Sequence, residues 1–188
     1  MCTTIGHTLA GYSTVLGTRL SLIRQWWVLF IFGVAIGNLP DIDLIFGYFV
    51  GNPNRYHHLW THGLAFCIMA GFLSGCVYWL LTRRNGFIIG WIIFLVTSSH
   101  IVLDYFTKDT NTVKGIQLLW PLSKNFYISP LLIFWEIHKS STNSTFIQSL
   151  LCWHNLWAIL IEIAILGPIQ ILLWITYRMR KKRMVAGL

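Results

Sequence analysis

Long uncharged stretches of apolar residues alternate with short polar segments along this chain. Three of these stretches are long enough to form membrane-spanning helices: residues 64–82, 86–103 and 155–177. A helix needs about 20 apolar residues to cross the hydrocarbon core of a bilayer. The stretch 26–40 is apolar but short and stops at Asp41, and we place one further, more polar helix over 5–23. The pattern therefore predicts an all-α, polytopic membrane protein with about five transmembrane helices, of which the first is the least apolar.

Basic residues between these stretches predict the orientation in the membrane. The positive-inside tendency places short loops rich in Lys and Arg in the cytoplasm. On this basis we place four arginines and one segment on the cytoplasmic side: Arg19, Arg24, Arg83, Arg84 and the basic C-terminal tail 178–188. The loops 41–63 and 104–154 then face the outer side.

Composition agrees with a membrane protein of one domain over residues 1–188. The chain is 55% hydrophobic and 11% charged, whereas soluble domains carry about 25% charged residues. The net charge of +8 suggests nucleic-acid binding as one interpretation. However, the only basic run adjoins an apolar segment, which is typical of a segment facing anionic headgroups. The sequence thus indicates the lipid bilayer, and not nucleic acid, as a partner.

Ionisable side chains are costly in so apolar a chain, so each requires an explanation. Seven of them fall into three groups: Asp41 with Asp43, His57 with His58 and His62, and His100 with Asp104. The last pair is spaced i, i+4 and so shares one face of a helix. Imidazole nitrogens and carboxylate oxygens are the usual ligands of zinc, manganese or iron in hydrolytic sites.

Each group also has a purely structural interpretation. Asp41 can cap a helix, Asp43 can interact with a helix dipole, and His100 can simply bond Asp104. Isolated histidines are more often hydrogen-bonded packing residues than ligands. In the five-helix arrangement, however, one set gathers at the outer end of the bundle: His7, Asp41, Asp43, His57, His62, His100 and Asp104. Because independent structural residues have no reason to gather there, we expect a metal centre.

The order of several short motifs resembles a known family. These motifs are Gly6-His7, Leu39-Pro40-Asp41-Ile42-Asp43, His57 with Thr61-His62, Ser99-His100 with Asp104 and Thr107, and Leu118-Leu119-Trp120-Pro121. Together they resemble the YdjM-like family of bacterial inner-membrane proteins, which are described as predicted metal-dependent hydrolases. The resemblance covers about residues 5–125. The family is in turn distantly similar to the zinc-dependent phospholipase C and P1 nuclease group.

This resemblance implies a ligand set and a metal. The implied ligands are His7, Asp41, His57, His62, His100 and Asp104. The soluble enzymes complete three zinc sites with a later His and an H-x-x-x-E helix. The late candidates here, which are Glu136, His138, His154 and Glu162, do not have that spacing. The expectation is therefore one or two divalent ions, zinc first, in a multi-pass inner-membrane protein with a cytoplasmic C-terminus.

A hydrolase of this kind would need residues to orient water and to bind substrate. Bound metal would lower the pKa of a coordinated water towards ~7, and Asp43 or Asp109 would orient that water. Basic residues of the outer loops would hold a phosphate: Arg55, Lys108, Lys114 and Lys124. Their alternative role is contact with headgroups. A membrane-embedded site favours a phosphoester or phospholipid-type substrate that arrives by lateral diffusion.

Two other functions fit the same residues. A structural metal site would be closed by four protein ligands, without an open position. A metal transporter would need ligands near the middle of the bilayer, which only His100 and Glu162 could supply.

Overall fold

The computed structural model describes residues 1–18, 25–110 and 114–185, with the backbone alone for 183–185. Seven helices cover most of these residues: α1 (Thr4–Gly17), α2 (Trp26–Gly37), α3 (Asp43–Phe49), α4 (Leu64–Thr82), α5 (Phe87–Tyr105), α6 (Asn143–Leu150) and α7 (Trp153–Val185). Short 3₁₀ turns lie at Leu39–Ile42 and Trp60–His62. The described ranges contain two isolated bridges and no named strand, so the predicted all-α class is confirmed.

Three of the helices, α4, α5 and α7, are long and apolar enough to cross a membrane. A fourth span is available if α2 and the segment 39–49, which meet at a bend of 54°, are counted together. The predicted total of five is not confirmed. At 1.5 Å per residue, the 14 residues of α1 extend about 21 Å, which is less than the hydrocarbon thickness. Arg19, Arg24 and the end of the basic tail lie outside the described residues.

Helix α1 lies inside the bundle, against α2, α5 and α7. Its C-terminal half belongs to the largest apolar cluster, where Val15 and Leu16 pack with Leu29 of α2, Val96 of α5 and Tyr177 of α7. Its N-terminal half carries a buried histidine towards the end of α5. This arrangement leaves one end of the bundle apolar and the other end free for polar chemistry.

A close approach of α1 and α2 positions that histidine. A Cβ atom added at Gly37 would lie 2.9 Å from the backbone oxygen of His7. A side chain at position 37 would therefore push the two helices apart. Glycine at the end of α2 allows His7 to reach the polar end of the bundle.

Candidate metal centre

The polar end of the bundle brings together side chains from five short segments. These are His7 in α1, Asp41 in the turn Leu39–Ile42, Asp43 at the start of α3, His62 in the turn Trp60–His62, and His100 with Asp104 in the last turns of α5. Pro40 is the second residue of the turn Leu39–Ile42 that follows α2, and its fixed φ suits the first turn of a helix. The chain therefore changes direction after Gly37, and the change directs Asp41 towards α5.

Four ligand atoms converge at the centre of this cluster. Nε2 of His100 lies 3.2 Å from Nε2 of His62, 3.3 Å from Oδ2 of Asp104 and 3.6 Å from Oδ1 of Asp41. Nε2 of His62 lies 3.4 Å from Oδ2 of Asp104 and 3.6 Å from Oδ1 of Asp41. Ligand atoms about 2.0–2.1 Å from a tetrahedral ion are about 3.3–3.4 Å from one another. His62, His100 and Asp104 are thus spaced like the ligands of a single ion, and Asp41 lies 3.6 Å from both imidazoles.

Hydrogen bonds on the far side of each imidazole fix the orientation of the two central rings. Nδ1 of His100 donates to the backbone oxygen of Gly37 at 2.8 Å. Nδ1 of His62 donates to Oγ1 of Thr61 at 3.0 Å and lies 3.2 Å from Oδ2 of Asp43. With their protons on Nδ1, both rings direct an Nε2 lone pair into the cluster. Such anchoring is usual for histidines that bind metal.

Several atoms of the cluster are buried and form no hydrogen bond. They include both ring nitrogens of His7, Oδ1 of Asp41 and Oδ2 of Asp104. Nε2 of His7 lies 3.4 Å from Oδ1 of Asp104, and its ring stacks on that of His100 with the centroids 3.5 Å apart. A buried polar atom without a partner is costly. A cation among these atoms would satisfy them, so the residues present fit a divalent metal.

A proton on His62 would supply part of the positive charge that these buried atoms favour. Burial opposes protonation of His62, but its contacts with Asp104, Asp41 and Asp43 outweigh burial and raise its pKa well above the ordinary value. The cluster therefore attracts positive charge, either as a proton on His62 or as a metal ion.

A second group of donors lies beside the first and includes His58, which was not among the predicted ligands. His57, His58 and His62 each offer one atom within 4.8 Å of the others. Nε2 of His57 and Nε2 of His58 are buried and form no hydrogen bond. Burial lowers the pKa of both His57 and His58, which favours the neutral form that binds metal. His58 has φ +66°, so its placement depends on a backbone conformation that the H-H pair alone does not indicate.

Asp43 is placed to orient imidazoles. Its carboxylate accepts a hydrogen bond from Oγ1 of Thr61 at 2.6 Å and lies 3.0 Å from Nδ1 of His57. Oδ2 of Asp43 also lies 3.2 Å from Nδ1 of His62, so both carboxylate oxygens have partners. Asp109 accepts a hydrogen bond from the backbone of Gly115 at 2.9 Å. The water-orienting role expected of Asp43 and Asp109 stays a prediction, and for Asp43 the contacts support positioning of the rings instead.

One family model matches nearly the whole chain, and its description is YdjM inner membrane protein, over residues 1–183. The chain belongs to the YdjM inner membrane protein family. Comparison with curated proteins gave no match, and comparison with solved structures gave none either. The predicted family resemblance is thus confirmed and extends beyond residues 5–125. The match does not confirm the expected hydrolase activity or the similarity to phospholipase C.

The N-terminal residues of this YdjM family protein complete the cluster. The backbone N–H of Cys2 donates to Oδ1 of Asp104 at 2.9 Å. The backbone N–H of Thr3 donates to Oε1 of Glu162 at 2.6 Å, and the Thr3 hydroxyl donates to the other carboxylate oxygen. A Cβ atom at Gly6 would lie 2.6 Å from that carboxylate. Glu162 therefore attaches the start of α1 to α7 and explains the glycine of the Gly6-His7 motif.

The other late candidates lie apart from the metal cluster. Among the described residues, none of the metal-compatible groups includes Glu136, His138, His154 or Glu162. Oε2 of Glu136 accepts a hydrogen bond from the backbone of Thr110 at 2.8 Å, and His138 stacks on His154 with the ring centroids 3.7 Å apart. Whether these residues take part in any metal site therefore stays a prediction from their spacing in the sequence.

A polar cavity of about 600 Å³ adjoins the metal cluster. His57 and His58 form part of its wall, together with Arg55 and Lys139. Of the four basic residues predicted to bind substrate, Arg55 alone belongs to this wall as the structure describes it. The other three, which are Lys108, Lys114 and Lys124, are exposed at the surface. Lys139 was not predicted, because it lies in a segment without helical or strand periodicity.

Proposed function

We propose that this YdjM family member is a membrane-bound, metal-dependent hydrolase that acts on a phosphoester. The observation that carries the proposal is the convergence of His62, His100 and Asp104 at the distances expected of ligands on one ion, with Asp41 3.6 Å from both imidazoles. The unpartnered buried atoms of His7, Asp41 and Asp104 support it further. Zinc is the first candidate metal, since tetrahedral sites of imidazole and carboxylate suit it.

The chain's own residues divide the work of such a site. His62, His100, Asp41 and Asp104 would hold the ion, with His7 beside them. Asp43 and the backbone of α2 orient the two central rings. A divalent ion bound there would supply a Lewis acid at neutral pH. The side chains of His57 and His58 are 5% and 11% exposed and belong to the cavity wall, so the cluster is accessible at the edge beside the cavity.

The location of the cluster supports a substrate that is linked to lipid. His100 and Asp104 occupy the last turns of α5, one of the candidate spans, so the site lies near one membrane face. Large apolar side chains are exposed in the neighbouring loops: Leu122, Leu131 and Trp135. The basic residues Arg83, Arg84 and those of the C-terminal tail support a cytoplasmic location for the opposite end, which makes the site external. A lipid-linked phosphoester would reach it by lateral diffusion.

A structural metal site is the second candidate, and one observation favours it. Nε2 of His7 lies 3.4 Å from Oδ1 of Asp104, so His7 is a further potential ligand, and a site filled by protein ligands leaves no position for water or substrate. A transporter finds less support, because the cluster lies at the end of α5 and Glu162 is engaged by Thr3.

Metal analysis and a hydrolysis assay on the same preparation test the proposal. Protein purified in detergent without chelator is expected to contain at least one zinc or manganese ion per chain and to cleave p-nitrophenyl phosphate or its diester. Bound metal with no cleavage of either compound, or of short-chain phospholipids, would favour the structural site. No bound metal, and no uptake after zinc or manganese is added, would remove both candidates.

A further inference from the structure

The cavity of about 600 Å³ beside the metal cluster has the size of a small-molecule site, since such pockets usually enclose about 300–1,000 Å³. Its wall combines polar side chains with apolar ones, among them Met1, Phe126 and Ile137. His57 and His58 belong both to this wall and to a metal-compatible group. A molecule bound in the cavity would therefore contact the edge of the metal cluster.

The charges on the wall favour an anion. Arg55 and Lys139 are its Lys and Arg residues among those described. Within the described part of the chain, no carboxylate lies within 4.0 Å of Nζ of Lys139, which rests against Sδ of Met1. The wall's carboxylate, Glu136, is occupied by the backbone and the hydroxyl of Thr110. The two cations are thus left available to a ligand.

Lys139 also lies close enough to the cluster to affect it. After burial, the charge of Lys139 is the next cause that lowers the pKa of His57. Burial lowers the pKa of Lys139 itself to about 8, so the ammonium group is still mainly protonated at pH 7. A protonated amine beside a metal-compatible histidine is suited to bind an anion that also contacts the metal.

We propose that this cavity is the substrate pocket and that Lys139, together with Arg55, binds the phosphate of a phosphate ester beside His57 and His58. This inference rests on the proposed function and specifies its substrate class and an unpredicted binding residue. The volume exceeds that of a phosphate group alone, and the apolar wall residues suit the organic part of the ester. The source of the ester is either a lipid headgroup or a soluble metabolite.

Equilibrium binding of two probes tests the pocket without requiring turnover. Glycerol 3-phosphate represents the soluble source, and short-chain phosphatidic acid in mixed micelles represents the headgroup. Both are titrated into detergent-purified protein, with and without added zinc. Lys139→Gln is expected to weaken binding of the preferred probe about tenfold or more, because a charge-assisted hydrogen bond is lost. Lys139→Arg retains the cation and should bind nearly as well as the parent protein.

Two further variants control for general effects. Lys182→Gln removes an exposed cation of the C-terminal helix, away from the cavity wall, and should leave binding unchanged. Arg55→Gln provides a second test of the wall if Lys139→Gln does not fold. Binding of either probe that depends on Lys139 or Arg55 supports the pocket, and the preferred probe identifies the source. The proposal is overturned if the parent protein binds neither probe, or if both glutamine variants bind as well as the parent.

The outcomes separate this inference from the proposed function. Binding that depends on Lys139 without hydrolysis would keep the anion pocket and remove the hydrolase. Hydrolysis whose KM is unaffected by Lys139→Gln and by Arg55→Gln would keep the hydrolase and overturn the pocket.

Discussion

Different kinds of contact stabilise two regions of the bundle, its polar end and the α4–α5 hairpin. At the polar end, charged and imidazole side chains from five segments meet around a space that attracts a cation. Along the α4–α5 hairpin, in contrast, the backbones touch, since a Cβ atom at Gly86 would lie 1.9 Å from the backbone oxygen of Gly75. The first region depends on the chemistry of its side chains, and the second depends on their absence. Substitutions in the two regions should therefore have separable effects on metal content and on folding.

The largest effect on stability is expected at the hairpin. Gly86→Ala places a methyl group where the backbone oxygen of Gly75 lies, and that backbone cannot move without separating α4 from α5. We expect a loss of about 3 kcal/mol or more, as for other overpacked or strained positions. Thermal unfolding in detergent measures it. The control is Gly17→Ala, where the added Cβ meets nothing within 4 Å; an equal loss in both variants would show that the contact is unimportant.

The corresponding effect at the polar end concerns metal and not folding. Asp104→Asn keeps the size of a side chain that contacts His7, His62 and His100 but removes its charge. We expect metal affinity to fall by more than about 100-fold, since even the residues that orient ligands commonly contribute 10–100-fold. His154→Gln alters a histidine outside the metal-compatible groups and should retain metal. If Asp104→Asn retains as much metal as the parent protein, Asp104 is not a ligand.

The same contrast explains how much the sequence could predict. His7, Asp41, His62, His100 and Asp104 were predictable as one cluster, because ionisable residues in an apolar chain have few places other than a shared polar end. The fold class followed from the length of the apolar stretches. These inferences needed only composition and helical spacing.

Other features depend on backbone paths that have no periodic pattern. The break after Gly37 turns a predicted span into two segments that meet at 54°. His58 reaches the cluster through a positive φ, and Lys139 reaches the cavity from a segment without regular secondary structure. Lys108, Lys114 and Lys124 were predicted from their charge alone, and charge does not determine which loop residues face a cavity.

Because the polar end attracts positive charge, the stabilisation of the protein by bound metal should depend on pH. The raised pKa of His62 means that its proton stabilises the metal-free protein fully below about pH 6.5, and that this contribution is lost as pH rises through the raised pKa. A metal ion binds the neutral ring and displaces the proton. Over the range in which one proton is released, stabilisation by metal should increase by about 1.4 kcal/mol per pH unit.

Thermal unfolding at fixed zinc concentration between pH 6 and 8 measures this dependence. Gly86→Ala should show the same slope from a lower starting stability, because Gly86 lies just before α5, at the opposite end of that helix from His100 and Asp104. A zinc effect that is constant over this range would show that no proton leaves His62 when metal binds.

The smallest expected effect is indirect and concerns the attachment of α1 to α7. Glu162 holds the backbone and hydroxyl of Thr3, four residues before His7, whereas Gln170 bonds Ser13 at 2.7 Å, farther along the same two helices. Glu162→Ala leaves the start of α1 without its partner, so His7 is held less firmly. Metal affinity should fall severalfold, which is less than the roughly 10–100-fold typical of residues that bond a ligand directly. Gln170→Ala also removes one α1–α7 hydrogen bond and should reduce stability by about 1 kcal/mol without changing metal affinity. Zinc titration of both variants, together with thermal unfolding, separates the two effects. Equal metal affinity in both would show that His7 is positioned by Gly37 and His100 rather than by the contact with Glu162.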